Sequence, residues 1–102
     1  MYARVTPTST APGSIDEAVA WFEESVLPRA EAQPGFLGAL DLFDRESGVG
    51  ITVTLWETAD ARDRSEGMAA GIRSEAEAAF DAENVSIERF EVTTHRLPAP
   101  AG

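Results

Sequence analysis

An α+β fold, in which an antiparallel sheet is covered on one side by two helices, is what this 102-residue sequence predicts. Three observations carry that expectation. Residues 51–56 (ITVTLW) alternate branched apolar side chains with threonines and end on Trp56, the period-two pattern of a strand with two different faces. Residues 36–43 and 49–57 both read as strands, and the charged, glycine-ended stretch DRESG between them suits a hairpin. Two stretches with apolar residues at helical spacing follow turn signals, one before this hairpin and one after it.

Residues 2–9 are rich in aromatic and β-branched side chains and run into APG, a first strand closed by a turn. Ser14, Ile15, Asp16 and Glu17 then fit a capping box, in which the serine hydroxyl accepts from the Glu17 amide and the Glu17 side chain reaches back to the Ser14 amide. Ile15, Ala18, Val19, Phe22 and Val26 form an apolar stripe, with Asp16, Glu17, Glu23 and Glu24 largely off it. Pro28 lacks a backbone donor and should kink or nearly end this helix, and QPG at 33–35 closes the segment.

After the hairpin, Thr58 is a fair N-cap for a second helix running past Met68 and Ile72 toward Phe80, weakened locally by Gly67 and Gly71. Residues 85–96 read as the last strand, and residues 98–102 as a disordered tail behind a single domain over 1–97. The order βαββαβ is the ferredoxin-like split βαβ arrangement, a four-stranded antiparallel sheet with two helices on one face. Ile51, Val53 and Leu55 then face away from the helices without cover from this chain. An apolar sheet face of that extent predicts a homodimer through the open face.

Composition excludes whole classes of function. Eighteen acidic residues against eight arginines give a formal charge of -10, which repels nucleic acid and anionic membrane surfaces. The absence of cysteine removes disulfides, thiolate metal sites and cysteine nucleophiles. One histidine among scattered carboxylates makes no metal shell, and no phosphate loop or Ser/His/Asp order is present. No apolar run approaches a membrane span of roughly 18 residues, and the first residues carry neither a basic region nor an apolar signal-type stretch, so a cytoplasmic protein is expected.

MYARVT at the start, VLPRAEAQPGFLGAL between the first helix and second strand, DRESG in the hairpin and TLWETADA at the strand end resemble the antibiotic biosynthesis monooxygenase (ABM) superfamily of dimeric α+β barrels. The resemblance covers roughly residues 1–97 and implies a dimer with one small-molecule cavity per subunit between sheet and helices. It further implies cofactor-independent oxygenation of an aromatic, quinol-like or polyketide-type substrate, with no cofactor and no metal. Cyclisation, isomerisation or non-catalytic ligand binding are the alternatives. Trp56 matches the family's strand-end tryptophan, whereas Thr52 and Arg62 stand where the quinol-oxidising branch has asparagine and tyrosine. The haem-degrading branch uses a histidine on the second helix, and here no histidine precedes His95.

The candidate catalytic residues are therefore Trp56, Arg4 and Thr52, and the candidate substrate-binding residues are Tyr2, Thr6, Phe22, Thr54, Arg62, Met68, Ile72 and Arg73. Each has a structural alternative. Trp56 either stacks on a planar substrate as a cavity wall or fills the gap between sheet and helix. Thr52 is either a pocket residue or an ordinary strand threonine. Arg4, if buried, needs an acceptor, which is either a substrate oxygen or Glu88 or Glu91 on the last strand. Arg73 is either a second substrate cation or a solvated helix residue.

Overall fold

A computed structural model of the chain describes residues 1–84 and 86–97. The tail expected at 98–102, and Val85 at the start of the last expected strand, lie outside the described residues. Strand β1 is Tyr2–Ser9, β2 is Phe36–Phe43 and β3 is Val49–Trp56, within one residue of the sequence expectation at every end. The last expected strand is shorter and divided, into β4, Glu83–Asn84, and β5, Glu88–Glu91. Both pair antiparallel with β1, so the sheet has four strand positions in the order β2-β3-β1 and then β4 with β5. Val92 extends the pairing by one bond to the Met1 carbonyl, and residues 93–97 continue without strand structure.

Register assigns the two faces. Arg4, Thr54 and Ala39 stand opposite one another across β1, β3 and β2, and Thr6, Thr52 and Asp41 form the next row on the same face. The intervening rows, Val5–Val53–Leu40 and Pro7–Ile51–Leu42, point to the other side. The helices cover the first face. On the second, Leu40 is 46% exposed, Leu42 49%, Ile51 37% and Phe90 51%, so large apolar side chains on this face are left without cover from the helices.

The first helix departs from expectation at its start. The capping box does not form: Ser14 ends a 3-10 turn, Pro12–Ser14, makes no side-chain cap hydrogen bond, and its amide already donates to the Ala11 carbonyl at 2.8 Å. At Pro28 the helix is irregular and nearly over, as expected, and it ends three residues later at Glu31. Helix α1, Ile15–Trp21, widens into a π-helical segment, Phe22–Val26, and continues as α2, Leu27–Glu31, with Pro28 in its first turn. A proline there needs no amide bond, and the wider π turn gives the preceding carbonyls room that a uniform α-helix would deny them.

The second helix is also two pieces, α3, Ala59–Arg64, and α4, Glu66–Phe80. The Thr58 cap is present, its hydroxyl accepting from the Ala61 amide at 3.0 Å. The break falls at Ser65, which is 1% exposed, because the Arg4 guanidinium reaches into the junction and takes the Arg62 carbonyl that a continuous helix would have used. Asp81 closes α4 in the left-handed conformation, φ 52°. In the hairpin Gly48 has φ 79°, and a Cβ there would lie 1.8 Å from the Thr10 carbonyl oxygen, so this turn requires glycine.

Candidate functional site

Between the helix-facing rows of the sheet and the helices lies a cavity of about 120 Å³, partly open to solvent. An apolar protein cavity of about 150 Å³ holds one benzene ring, so this space suits a single small ring unless it widens. Its helix wall is apolar: Trp21, Phe22, Val26 and Leu27 come from the first helix, and Met68 and Ile72 from α4. The π segment matters here, because its wider turn places Phe22 and Val26 on the cavity side. The sheet wall is polar, with Thr6, Thr52, Thr54 and Asp41, and three charged residues line the space: Arg4, Asp41 and Arg73.

Arg4 is 2% exposed. Its Nε lies 3.0 Å from Glu66 Oε2, and its Nη2 donates to Ser65 Oγ at 2.8 Å and to the Arg62 carbonyl. Nη1 is buried with no hydrogen-bond partner among the described residues. The expected acceptors on the last strand are therefore replaced by Glu66 on α4. Register explains why: Glu88 is opposite Val5, on the other face, Glu91 is opposite Tyr2, and the residue opposite Arg4 is Arg89. Burial pulls the Arg4 guanidinium below its ordinary value, Glu66 opposes that pull, and Arg73, Arg89 and Arg62 add to it. A guanidinium starts so high that it stays charged near neutral pH all the same.

Arg73 also hydrogen-bonds Glu66, so two cations share one carboxylate. Arg62 pairs with Asp63 at 3.0 Å, and Arg89 reaches the same carboxylate at 3.6 Å. Asp63 is held below the usual carboxylate range by the hydrogen bond from Arg62. Four of the chain's eight arginines thus gather at one end of the sheet around two carboxylates, in a molecule of net charge -10. Such a local positive field in an acidic protein attracts small anions to one place.

Trp56 is fully buried and does not line the cavity. It meets Phe36 edge-to-face at 5.5 Å, donates from Nε1 to Thr54 Oγ1 at 2.9 Å, and carries the Arg4 guanidinium 5.7 Å from its ring centre. The tryptophan thus supports two residues of the cavity wall from behind. Tyr2 and Arg62 also lie off the lining, facing each other with the guanidinium 5.7 Å from the phenol ring centre. Of the residues singled out in the sequence, Arg4, Thr6, Phe22, Thr52, Thr54, Met68, Ile72 and Arg73 are brought together around the cavity. His95 is exposed and away from it.

Two participants escape sequence reasoning. Glu66 follows the helix break, which no spacing rule signals. Asp41 has a legible signal: in FLGALDLF it is a lone carboxylate at the inward position between Ala39 and Phe43. Burial pushes its carboxyl up, and the Thr52 hydroxyl, donating to Oδ1 at 2.9 Å, draws it part of the way back. Among the described residues no group of three His, Asp or Glu side chains is placed to hold a metal ion. No described helix is long and apolar enough to cross a membrane.

No protein-family model matches the chain. Uncharacterized protein Rv2558 of Mycobacterium tuberculosis is 33% identical over 92 residues, 90% of this chain and 39% of that protein. Uncharacterized protein Rv2557 of the same organism is 31% identical over 97 residues, so the chain spans about two fifths of the length of the curated relatives it matches. Among solved structures, HapK from Hahella chejuensis superposes with a TM-score of 0.73 over 98% of this chain and 100% of its own, at 13% identity. The ActVA-Orf6 monooxygenase of Streptomyces coelicolor, solved with nanaomycin D, gives 0.70 over 96% and 92%, at 15% identity. The haem degrader MhuD of Mycobacterium tuberculosis gives 0.68 over 94% and 99%, at 24% identity. With its βαββαβ order, its helix-covered sheet and these superpositions over nearly its whole length, the chain has the fold of the antibiotic biosynthesis monooxygenase superfamily.

Proposed function

We propose that this chain is a small-molecule enzyme that oxygenates an aromatic, quinol-like or polyketide-type substrate without a cofactor. The observation that carries the reading is the cavity's asymmetry: an apolar helix wall beside an end where Arg4 and Arg73 share the single carboxylate of Glu66 and Arg4 keeps an unused donor. Apolar walls exclude water, and fixed positive charge stabilises the substrate anion that would donate an electron to O2. The nanaomycin-bound monooxygenase and SnoaB of Streptomyces nogalater, a cofactor-independent oxygenase, share the fold and support the reading. The engagement of Arg4 by Glu66, Ser65 and the Arg62 carbonyl favours a second reading, cyclisation, isomerisation or plain ligand binding, in which the same charge orients an anion without oxygen.

Haem, which MhuD holds in its active site, does not fit the residues here. The lining offers no histidine, and a space of about 120 Å³ is small for a porphyrin.

Oxygen consumption with a panel of dihydroxybenzenes and related polyphenols tests the oxygenase reading. Arg73→Met is expected to lower kcat/KM by about tenfold or more, because a donor aimed at developing charge contributes on that scale. Turnover unchanged in Arg73→Met would remove the anion-stabilising step. Oxygen uptake absent with every substrate, but with ligands still bound, would favour the second reading.

The open sheet face belongs to the same proposal, as the interface of a homodimer. Leu40, Leu42, Ile51 and Phe90 present a self-complementary apolar surface on which a second copy can seat. Light scattering after size exclusion is expected to give twice the monomer mass, and Leu42→Arg to give the monomer. A stable monomer in the unmodified chain would contradict it.

A further inference from the structure

Of the three charged residues that line the cavity, Arg4 and Arg73 meet at Glu66, and Asp41 stands apart on β2. Its position follows from register. Asp41, Thr52 and Thr6 form one helix-facing row, and Arg4 lies in the adjacent row, two strand positions away. With strands about 4.8 Å apart and same-face residues about 6.8 Å apart along a strand, the two Cα atoms are roughly 12 Å apart. Asp41 leans toward β3 to receive the Thr52 hydroxyl, and Arg4 leans toward Trp56 and the α3–α4 junction. Carboxylate and guanidinium therefore stay on the order of 10 Å apart, at opposite ends of one space. A phenol oxygen and the carboxylate oxygens para to it are roughly 6 Å apart, and hydrogen bonds of about 2.8 Å at each end, the one at the hydroxyl bent well off the ring axis, bring that span to about 10 Å. The cavity volume agrees with a ligand of one ring.

Resting on the reading of this cavity as a small-molecule site, we propose that Asp41 determines specificity by accepting a hydrogen bond from a ligand hydroxyl para to an anionic group held at the Arg4–Arg73 end. The ligand class is a para-hydroxyaryl acid or an equivalent phenol with an oxyanion opposite its hydroxyl. Asp41 suits the task because Thr52 occupies only one of its acceptor sites, and the helices facing it supply apolar side chains. A donor in the cavity would meet its remaining acceptor capacity. The charged groups sharing its space are Arg4 from β1 and Arg73 from α4, which fixes orientation, since a ligand turned end for end would set its anion against the carboxylate. A methyl ether in place of the hydroxyl would leave a half-buried acceptor unmet, the situation in which polar sites discriminate strongly.

Calorimetric titration of the intact chain with 4-hydroxybenzoate, 4-methoxybenzoate and benzoate tests this, with amide NMR shifts locating each ligand. The hydroxy compound is expected to bind roughly 10-fold to 100-fold tighter than the other two, the range for a hydrogen bond to a charged group. Asp41→Ala, which removes the acceptor, is expected to abolish that preference with benzoate still bound, its fold checked by thermal unfolding. The preference should rise with pH as Asp41 ionises, above the ordinary carboxylate range because burial raises its pKa. Thr52→Val retains Asp41 but removes the hydrogen bond that lowers it, and so should move the midpoint of that rise to higher pH. Equal affinities in the unmodified chain, a preference surviving in Asp41→Ala, or a midpoint unmoved in Thr52→Val would overturn the assignment of Asp41, and the ligand site itself would stand. If none of the three compounds shifted the cavity amides, the small-anion reading of the site would fail together with it.

Discussion

Trp56→Ala is expected to lower the unfolding free energy by roughly 3–5 kcal/mol, the range for truncating a large buried aromatic. The side chain is wholly buried, so its removal leaves a void that the surrounding sheet can close only in part. Three named contacts go with it: the edge-to-face packing on Phe36, the Nε1 donation to Thr54 Oγ1, and the face under the Arg4 guanidinium. Trp56→Phe restores most of the volume and an aromatic face but not the indole donor, and should recover all but about 1–2 kcal/mol. Urea denaturation distinguishes these outcomes. A loss below about 1 kcal/mol in Trp56→Ala would show that the residue is not the packing centre described here. Because Trp56 backs Thr54 and Arg4, the alanine variant should also weaken ligand binding without having touched the ligand.

Arg4→Met is expected to cost roughly 2–4 kcal/mol, somewhat less than the removal of one member from a fully buried ion pair. Glu66 keeps Arg73 and is 29% exposed, so it is not left uncompensated. The larger loss lies at the α3–α4 junction. Ser65 Oγ and the Arg62 carbonyl both give up the Arg4 donor, and Ser65 Oγ, which donates to that same carbonyl at 2.7 Å, is the remaining link. Arg4→Lys should not rescue the fold, since the donors of a single ammonium nitrogen radiate from one point and cannot reach Glu66, Ser65 and the Arg62 carbonyl as the separate guanidinium nitrogens do. Equilibrium unfolding of the two variants side by side checks this. Recovery by lysine would mean that charge alone, rather than the planar fork, holds the junction.

Where the sequence carried period and punctuation, it was read correctly. The alternation in ITVTLW and the turn residues around the hairpin leave little freedom for β2 and β3, and the two-faced sheet follows from them. The departures arise from contacts that local spacing does not encode, some in a neighbouring turn and one in a distant strand. Ser14 has the composition of a cap, but a preceding 3-10 turn already occupies the amide the box would use. Pro28 marks the irregular, nearly final turn of the first helix as its chemistry suggests, and only the π turn before it goes unannounced by spacing. Ser65 interrupts the second helix because Arg4, 61 residues earlier, competes for a helical carbonyl. The cavity's sheet wall was legible from alternation, as Thr52, Thr54 and Arg4 show, whereas the pairing of Arg4 with Glu66 depends on the angle at which α4 crosses the sheet. Asp41 was present in the pattern all along, as a charge at an inward position of an otherwise apolar strand.

A crystal structure of the chain grown with 2,5-dihydroxybenzoate, a one-ring quinol acid, in the absence of oxygen tests the central claim most directly. The ligand is expected between the sheet and α4, ring against Phe22, Met68 and Ile72, with an oxygen in hydrogen-bond reach of Arg4 or Arg73. A cavity empty of ligand, with the dihydroxybenzoate seated on the open sheet face or nowhere, would contradict it.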